Sequence, residues 1–194
     1  MKPLIIVALS IVCSGNLFAQ NVKFTSNDSP KSLTKTAATN LAKDLGETAG
    51  FGSVYFQKSD LLELIDVKNC VGIRFYVAME DPKQRFADVI GVAINSEGKE
   101  IGDFLERKYH LAKPLDAHFP DEFKKMNRTT AKKCVDMLKN GTASVEPYTA
   151  FLGTSSIKAL LQDGNSTGIR IYPSTATIED NEYRSMSVGS VKTS

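Results

Sequence analysis

Four residues in this chain have the chemistry to bind an anion. Arg74 and Tyr76 stand in "CVGIRFYV", and Arg170 and Tyr172 stand in "STGIRIYP", 96 positions later. A guanidinium offers a planar fork of donors that matches carboxylates and phosphates, and a phenol adds an O–H beside it. Both stretches are rich in strand formers, and side chains alternate along a strand. Ile73, Phe75 and Val77 therefore share one face, and Arg74 and Tyr76 the other. The second copy divides in the same way, with Ile169 and Ile171 set against Arg170 and Tyr172. Two readings follow. The Arg–Tyr face is structural, with the guanidinium laid on an aromatic ring and paired with a carboxylate such as Asp88. Alternatively, the two faces form a site for a small anionic ligand or a partner protein.

Other chemistry is thinner. The two histidines, His110 and His118, lie near Asp116, Asp121 and Glu122, but their spacing fits no usual metal-ligand pattern. Cys134 falls on the apolar side of a helical pattern, which suits packing better than a nucleophile–base pair with either histidine. "SLTK" at Ser32, "SSIK" at Ser155 and the terminal "KTS" imitate serine β-lactamase motifs. The chain is too short for that fold, however, and nothing follows the last motif. No cofactor, metal or catalytic residue is expected.

The first residues bear on location. "MKPLIIVALSIVCSGNLFAQ" places Lys2 before a run of nine residues, Leu4–Val12, apolar but for Ser10 and followed by small and polar residues. This is the layout of a secretory signal peptide over residues 1–19, cut after Ala19 or, as the second choice, after Gly15. The run is far shorter than the ~20 residues of a spanning helix. Val12 precedes Cys13 where a lipoprotein needs a small residue, so acyl anchoring is not expected. The processed protein should be exported, periplasmic or extracellular, with no membrane span. It would retain Cys70 and Cys134, and an oxidising compartment permits a disulfide between them; two buried thiols fit equally well.

Composition sets only broad bounds. Of 194 residues, 42% are apolar and 24% charged, with a net charge of +2 and the two signs interspersed, which excludes a basic stripe for nucleic acid.

The elements that must position the Arg–Tyr pairs recur at one spacing. Ser59/Ser155, Leu64/Leu160, Asn69/Asn165, Gly72/Gly168, Ile73/Ile169, Arg74/Arg170 and Tyr76/Tyr172 are identical pairs 96 apart, seven in the 18 positions from Ser59 to Tyr76. Thr34/Thr130 and Lys43/Lys139 keep that spacing. The expected order in each half is helix, strand, helix, strand, strand. In the first half these are a helix from Ser32 to about Leu45, a strand over 53–57, a helix capped by Ser59 with Leu61, Leu62, Leu64 and Ile65 inward, and paired strands over 71–79 and 86–94. Asp60 and Glu63 are expected on the helix's exposed side. A loop with Gly98 at positive φ closes this half. In the second half they are a helix over 121–140, a strand over 144–153, a helix capped by Ser155 and bearing Ile157, Leu160 and Leu161, a strand over 167–174, a loop over 175–183 and a last strand. The fold class is α+β, an internal duplication after a signal peptide: module one over 20–102, a linker over 103–120, and module two over 121–194.

The stretch "CVGIRFYVAMED" followed by "VIGVAINSEGKEI" resembles a group of uncharacterised exported bacterial proteins carrying a Gly-[Ile/Val]-Arg-[Phe/Ile]-Tyr strand. The resemblance covers about residues 55–101 well and 150–175 less well. It implies export and the module, and no activity. The function expected is that of an exported non-enzymatic binding or structural protein of the cell envelope or secreted fraction. The alternatives are an exported hydrolase-like enzyme, or an inhibitor or immunity protein for a secreted partner.

Overall fold

Alternation along Gly72–Ala78 gives this segment one face of Ile73, Phe75 and Val77, all buried. A strand with such a face is stable only against a second apolar layer, and the chain supplies one. The computed structural model describes residues 6–9, 24–26, 31–33, 54–79, 81, 87–107, 123–140, 149–162, 164–178 and 181–192. Among them are ten strands in two antiparallel sheets and three helices. The strands are β1 (Ile6–Leu9), β2 (Lys31–Leu33), β3 (Val54–Gln57), β4 (Gly72–Ala78), β5 (Asp88–Ile94), β6 (Glu100–Arg107), β7 (Phe123–Met126), β8 (Thr149–Gly153), β9 (Ser166–Ile178) and β10 (Asn181–Lys192). The helices are α1 (Lys58–Ile65), α2 (Arg128–Asn140) and α3 (Thr154–Leu161). No described helix is long and apolar enough to cross a membrane.

One sheet runs β2-β1-β10-β9-β3 and the other β7-β6-β5-β4-β8. Each therefore draws strands from both halves of the sequence. β3 pairs with β9, and β8 pairs with β4. The registers agree position for position: Tyr55 faces Arg170 and Phe56 faces Ile169, while Phe151 faces Arg74 and Leu152 faces Ile73. Between the sheets lies a single core that joins Ile73, Phe75 and Val77 to Ile169, Ile171, Met186 and Val188, with Leu61, Leu64, Ile157 and Leu160 from α1 and α3. A smaller cluster sits on the other face of the β4–β5–β6 sheet. There Ala131 and Cys134 of α2 pack on Ala78, Ile90, Val92 and Phe104. With both faces covered, β5 is buried along its whole length.

The hairpin β4–β5, the position of α3 with Ile157, Leu160 and Leu161 inward, and the positive φ of Gly98 follow the sequence expectation. Other elements differ, for physical reasons. Residues 100–107, expected as a loop and the start of the linker, form β6, whose Phe104 and Leu105 are buried on opposite faces. A bulge at Gly102, φ 75°, shifts the β5–β6 register between Val92 and Ala93 and hides the alternation. The helix expected from residue 121 begins at Arg128, because the Asn127 side chain accepts from the Thr130 N–H at 2.9 Å and β7 occupies the residues before it. Residues 175–178 and 181–183, expected as loop, extend the β9–β10 ribbon. Residues 31–33, expected to open a helix, pair with β1; the rest of that helix, 34–45, lies outside the described residues. Ser59 and Ser155 stand inside the first turns of α1 and α3, which follow Gln57 and Gly153 with no side-chain cap. On α1, Leu62 is 42% exposed, whereas Asp60, expected outside, is only 4% exposed. An eight-residue helix presents one narrow stripe to the core, and Leu61 and Leu64 fill it.

Candidate functional site

The motif glycines explain the placement of the arginines. Tyr55 and Phe151, each opposite a motif arginine, stand on the arginine's side of the sheet and lean over the neighbouring glycine. A Cβ on Gly72 would lie 2.5 Å from the Leu152 carbonyl oxygen, and closer still to Cε2 and Cζ of Phe151. On Gly168 it would lie 2.8 Å from Tyr55 Cε2 and 2.9 Å from its Oη, with the Phe56 carbonyl nearer again. Only glycine admits the ring. The Tyr55 hydroxyl then donates to the Thr167 carbonyl at 2.8 Å.

On β4 the polar groups form a chain. Arg74 Nη1 donates to Tyr76 Oη at 3.3 Å, and Tyr76 Oη donates to Glu100 Oε1. Arg128, at the start of α2, pairs with Glu100 Oε2 at 3.0 Å. The carboxylate is thus Glu100 of β6, not Asp88, which stands opposite Ala78 four residues along the strand. The Arg74 guanidinium lies over the Phe24 ring, 5.1 Å from its centroid, and Phe24 meets Phe151 edge-on at 5.0 Å. Phe24 is held in turn by its N–H, which donates to the Ser96 carbonyl at 3.2 Å, and by the carbonyl of Ser26, which accepts from Ser155 N–H at 3.0 Å. Of this chain Arg128 is exposed, at 68%, while Arg74, Tyr76 and Glu100 are half-buried.

The titration of these groups is unlike that of a nucleophile. Burial, and the hydrogen bond to Glu100, push the Tyr76 phenol up to about 12 against the opposing pull of Arg74. Burial likewise raises Tyr172, with Arg170 pulling the other way, and it raises the Cys70 thiol against hydrogen bonding from the backbone. All three are held in their protonated forms at neutral pH, the reverse of what an activated nucleophile needs.

The two Arg–Tyr pairs are not brought together. Ile73 and Phe75 share the inter-sheet core with Ile169 and Ile171, so alternation sends Arg74 and Tyr76 to one outer side of the stack and Arg170 and Tyr172 to the other. Arg170 is itself 5% exposed. Cys70 and Cys134 are not joined in a disulfide. The Cys70 Sγ donates to the Gly72 carbonyl at the start of β4, while the Cys134 carbonyl accepts from Met79 just past its end. Along a strand that is about 20 Å, far beyond a disulfide's Cα span. His110 and His118 lie outside the described residues, as does Cys13. Among the described residues no group of three or more His, Cys, Asp or Glu could hold a metal ion.

Sequence reasoning missed Phe24, Glu100 and Arg128. Each is joined to Arg74 or Tyr76 only through tertiary pairing, and no local spacing marks them. Comparison of this chain with family models, with curated proteins and with solved structures finds no match.

Proposed function

We propose that this chain is an exported, non-enzymatic binding or structural protein of the cell envelope or secreted fraction, built from a duplicated unit. One observation carries the reading: the repeated motif spends its chemistry on its own framework. Gly72 and Gly168 admit a ring from the neighbouring strand, and Arg74 and Tyr76 are engaged by Phe24, Glu100 and one another. The phenols stay protonated and the two arginines do not converge. A motif used in this way holds two sheets together and leaves recognition to the surface they display. The matching registers of β3–β9 and β8–β4, and the spacing of 96 between α1 and α3, support descent from one unit.

The experiment pairs Arg74→Ala with Arg170→Ala. The expected result is a lower unfolding midpoint, with the folded fraction still retaining whatever cross-links to the wild-type protein in the native envelope. Loss of that capture with the midpoint unchanged would instead give the arginines to an anionic ligand. Mass analysis of the exported protein tests the location: it should begin at Gln20.

A further inference from the structure

The apolar run that reads as a leader also supplies a strand. Ile6–Leu9 forms β1, paired on one side with β10 from Met186 to Gly189 and on the other with β2 from Lys31 to Leu33. We infer that removal of residues 1–19 opens a slot one strand wide along the Met186–Gly189 edge of β10, and that this slot receives an extended apolar segment of a partner protein, antiparallel to β10. The inference rests on the export reading above.

β1 is an interior strand, since the order is β2-β1-β10-β9-β3. Among the described residues β2 pairs only with β1, so the departure of β1 unseats β2 as well and leaves β10 with a row of unpaired backbone groups over Met186–Gly189. β10 itself stays in place. Its other edge is paired with β9, and Met186 and Val188 are buried in the inter-sheet core. A fixed strand with an unpaired edge is a template to which an extended segment adds, exchanging hydration for ladder hydrogen bonds. The register states what fits: positions 7 and 9 of the present occupant stand opposite Val188 and Met186, and its sequence is Ile-Val-Ala-Leu. A replacement therefore needs apolar residues at alternate positions and a free N–H at each. The other sheet has no such vacancy to come, because β6 fills the corresponding place between β7 and β5 and lies well inside the chain. Export processing thus leaves one five-stranded sheet intact and the other without β1.

The test uses protein recovered from native export, with its mass taken first. A chain still carrying residues 1–19 overturns the export reading and the slot together. A chain beginning at Gln20 is titrated with a labelled peptide of residues 4–12 flanked by lysines, and amide hydrogen exchange is followed at 186–189. Saturable one-to-one binding that slows exchange at those amides, and a Val7→Pro peptide at least about tenfold weaker, are the expected results. Equal binding of the proline peptide overturns the slot while leaving export standing. So do amides that are already protected in a peptide-free monomer. Self-association of the processed chain that competes with the peptide assigns the slot to a second copy and overturns the partner assignment.

Discussion

Replacing Gly72 by alanine tests whether the motif glycine exists to admit Phe151. Non-bonded carbons rest about 3.5–4.0 Å apart. The new methyl would stand 2.5 Å from the Leu152 carbonyl oxygen and closer to two ring carbons of Phe151. The ring can swing, but the carbonyl belongs to β8, whose Gly153 pairs with Gly72 itself, so relief requires β8 to shift by about an ångström. Overpacking in a core costs about 1–3 kcal/mol, and backbone movement places this case at the upper end, about 3 kcal/mol. Gly91 on the adjacent β5 is an internal control. A methyl there meets Phe75 Cε1 at 3.3 Å, and Leu64 Cδ1 and Phe56 Cε1 at 3.4 Å, all tips of side chains. A few tenths of an ångström of give suffices, and alanine recovers about 0.5–1 kcal/mol of backbone entropy, so Gly91→Ala should be close to neutral. The chain has no tryptophan, so urea unfolding is followed by far-ultraviolet circular dichroism on both variants. Equal losses from Gly72→Ala and Gly91→Ala would refute the account of the motif. A double variant adding Phe151→Leu should show coupling of about 1 kcal/mol with Gly72→Ala, because one half of the clash is the ring.

Three further outcomes are expected. Tyr76 holds its proton more tightly folded than unfolded, so the stability it contributes is fully present below pH 10, its unfolded value, and is lost as pH rises from there through about 12; the two-unit shift corresponds to about 3 kcal/mol, and Tyr76→Phe should remove that part of the alkaline slope in unfolding midpoints. Asn127→Ala should cost about 1 kcal/mol by uncapping α2, read in the same urea titration. A reductant should leave the unfolding midpoint unchanged, and thiol labelling should find Cys70 and Cys134 both reactive in denaturant, with buried Cys134 slow in the native protein.

What could be read from the sequence was local. Alternation in "GIRFYVA" located β4 and divided its faces correctly, and the helical stripe of Ile157, Leu160 and Leu161 located α3. Where a local period was interrupted, the reading failed. Gly102 bulges β6, and Phe104 and Leu105 supply apolar residues to both of its faces, so no single alternating stripe marked it and the strand resembled a loop. Asp60 and Glu106 are buried although their residue types argue for solvent. Asn127 outcompetes Asp121 as the start of a helix because a strand, β7, claims the intervening residues, and strand pairing is not written in any single segment. Glu100 and Phe24 reach the Arg–Tyr face through a hairpin and through a strap from the N-terminal side, two contacts that no spacing rule encodes.

The exchange of strands changes what the two halves mean. Had each half formed its own sheet, the Arg–Tyr faces would belong to two small units, each with a thin core. Instead β3 completes a sheet made by β9 and β10, and β8 completes one made by β4 and β5. The aromatic residue that covers each motif glycine therefore comes from the opposite half of the sequence: Phe151 covers Gly72, and Tyr55 covers Gly168. A Gly-Ile-Arg segment cannot complete its own surroundings. Its glycine needs a ring, its isoleucine needs the facing sheet, and both are supplied reciprocally by the other half of the sequence. This gives a physical reason for the motif to appear twice in one chain, and it requires no ligand at either copy.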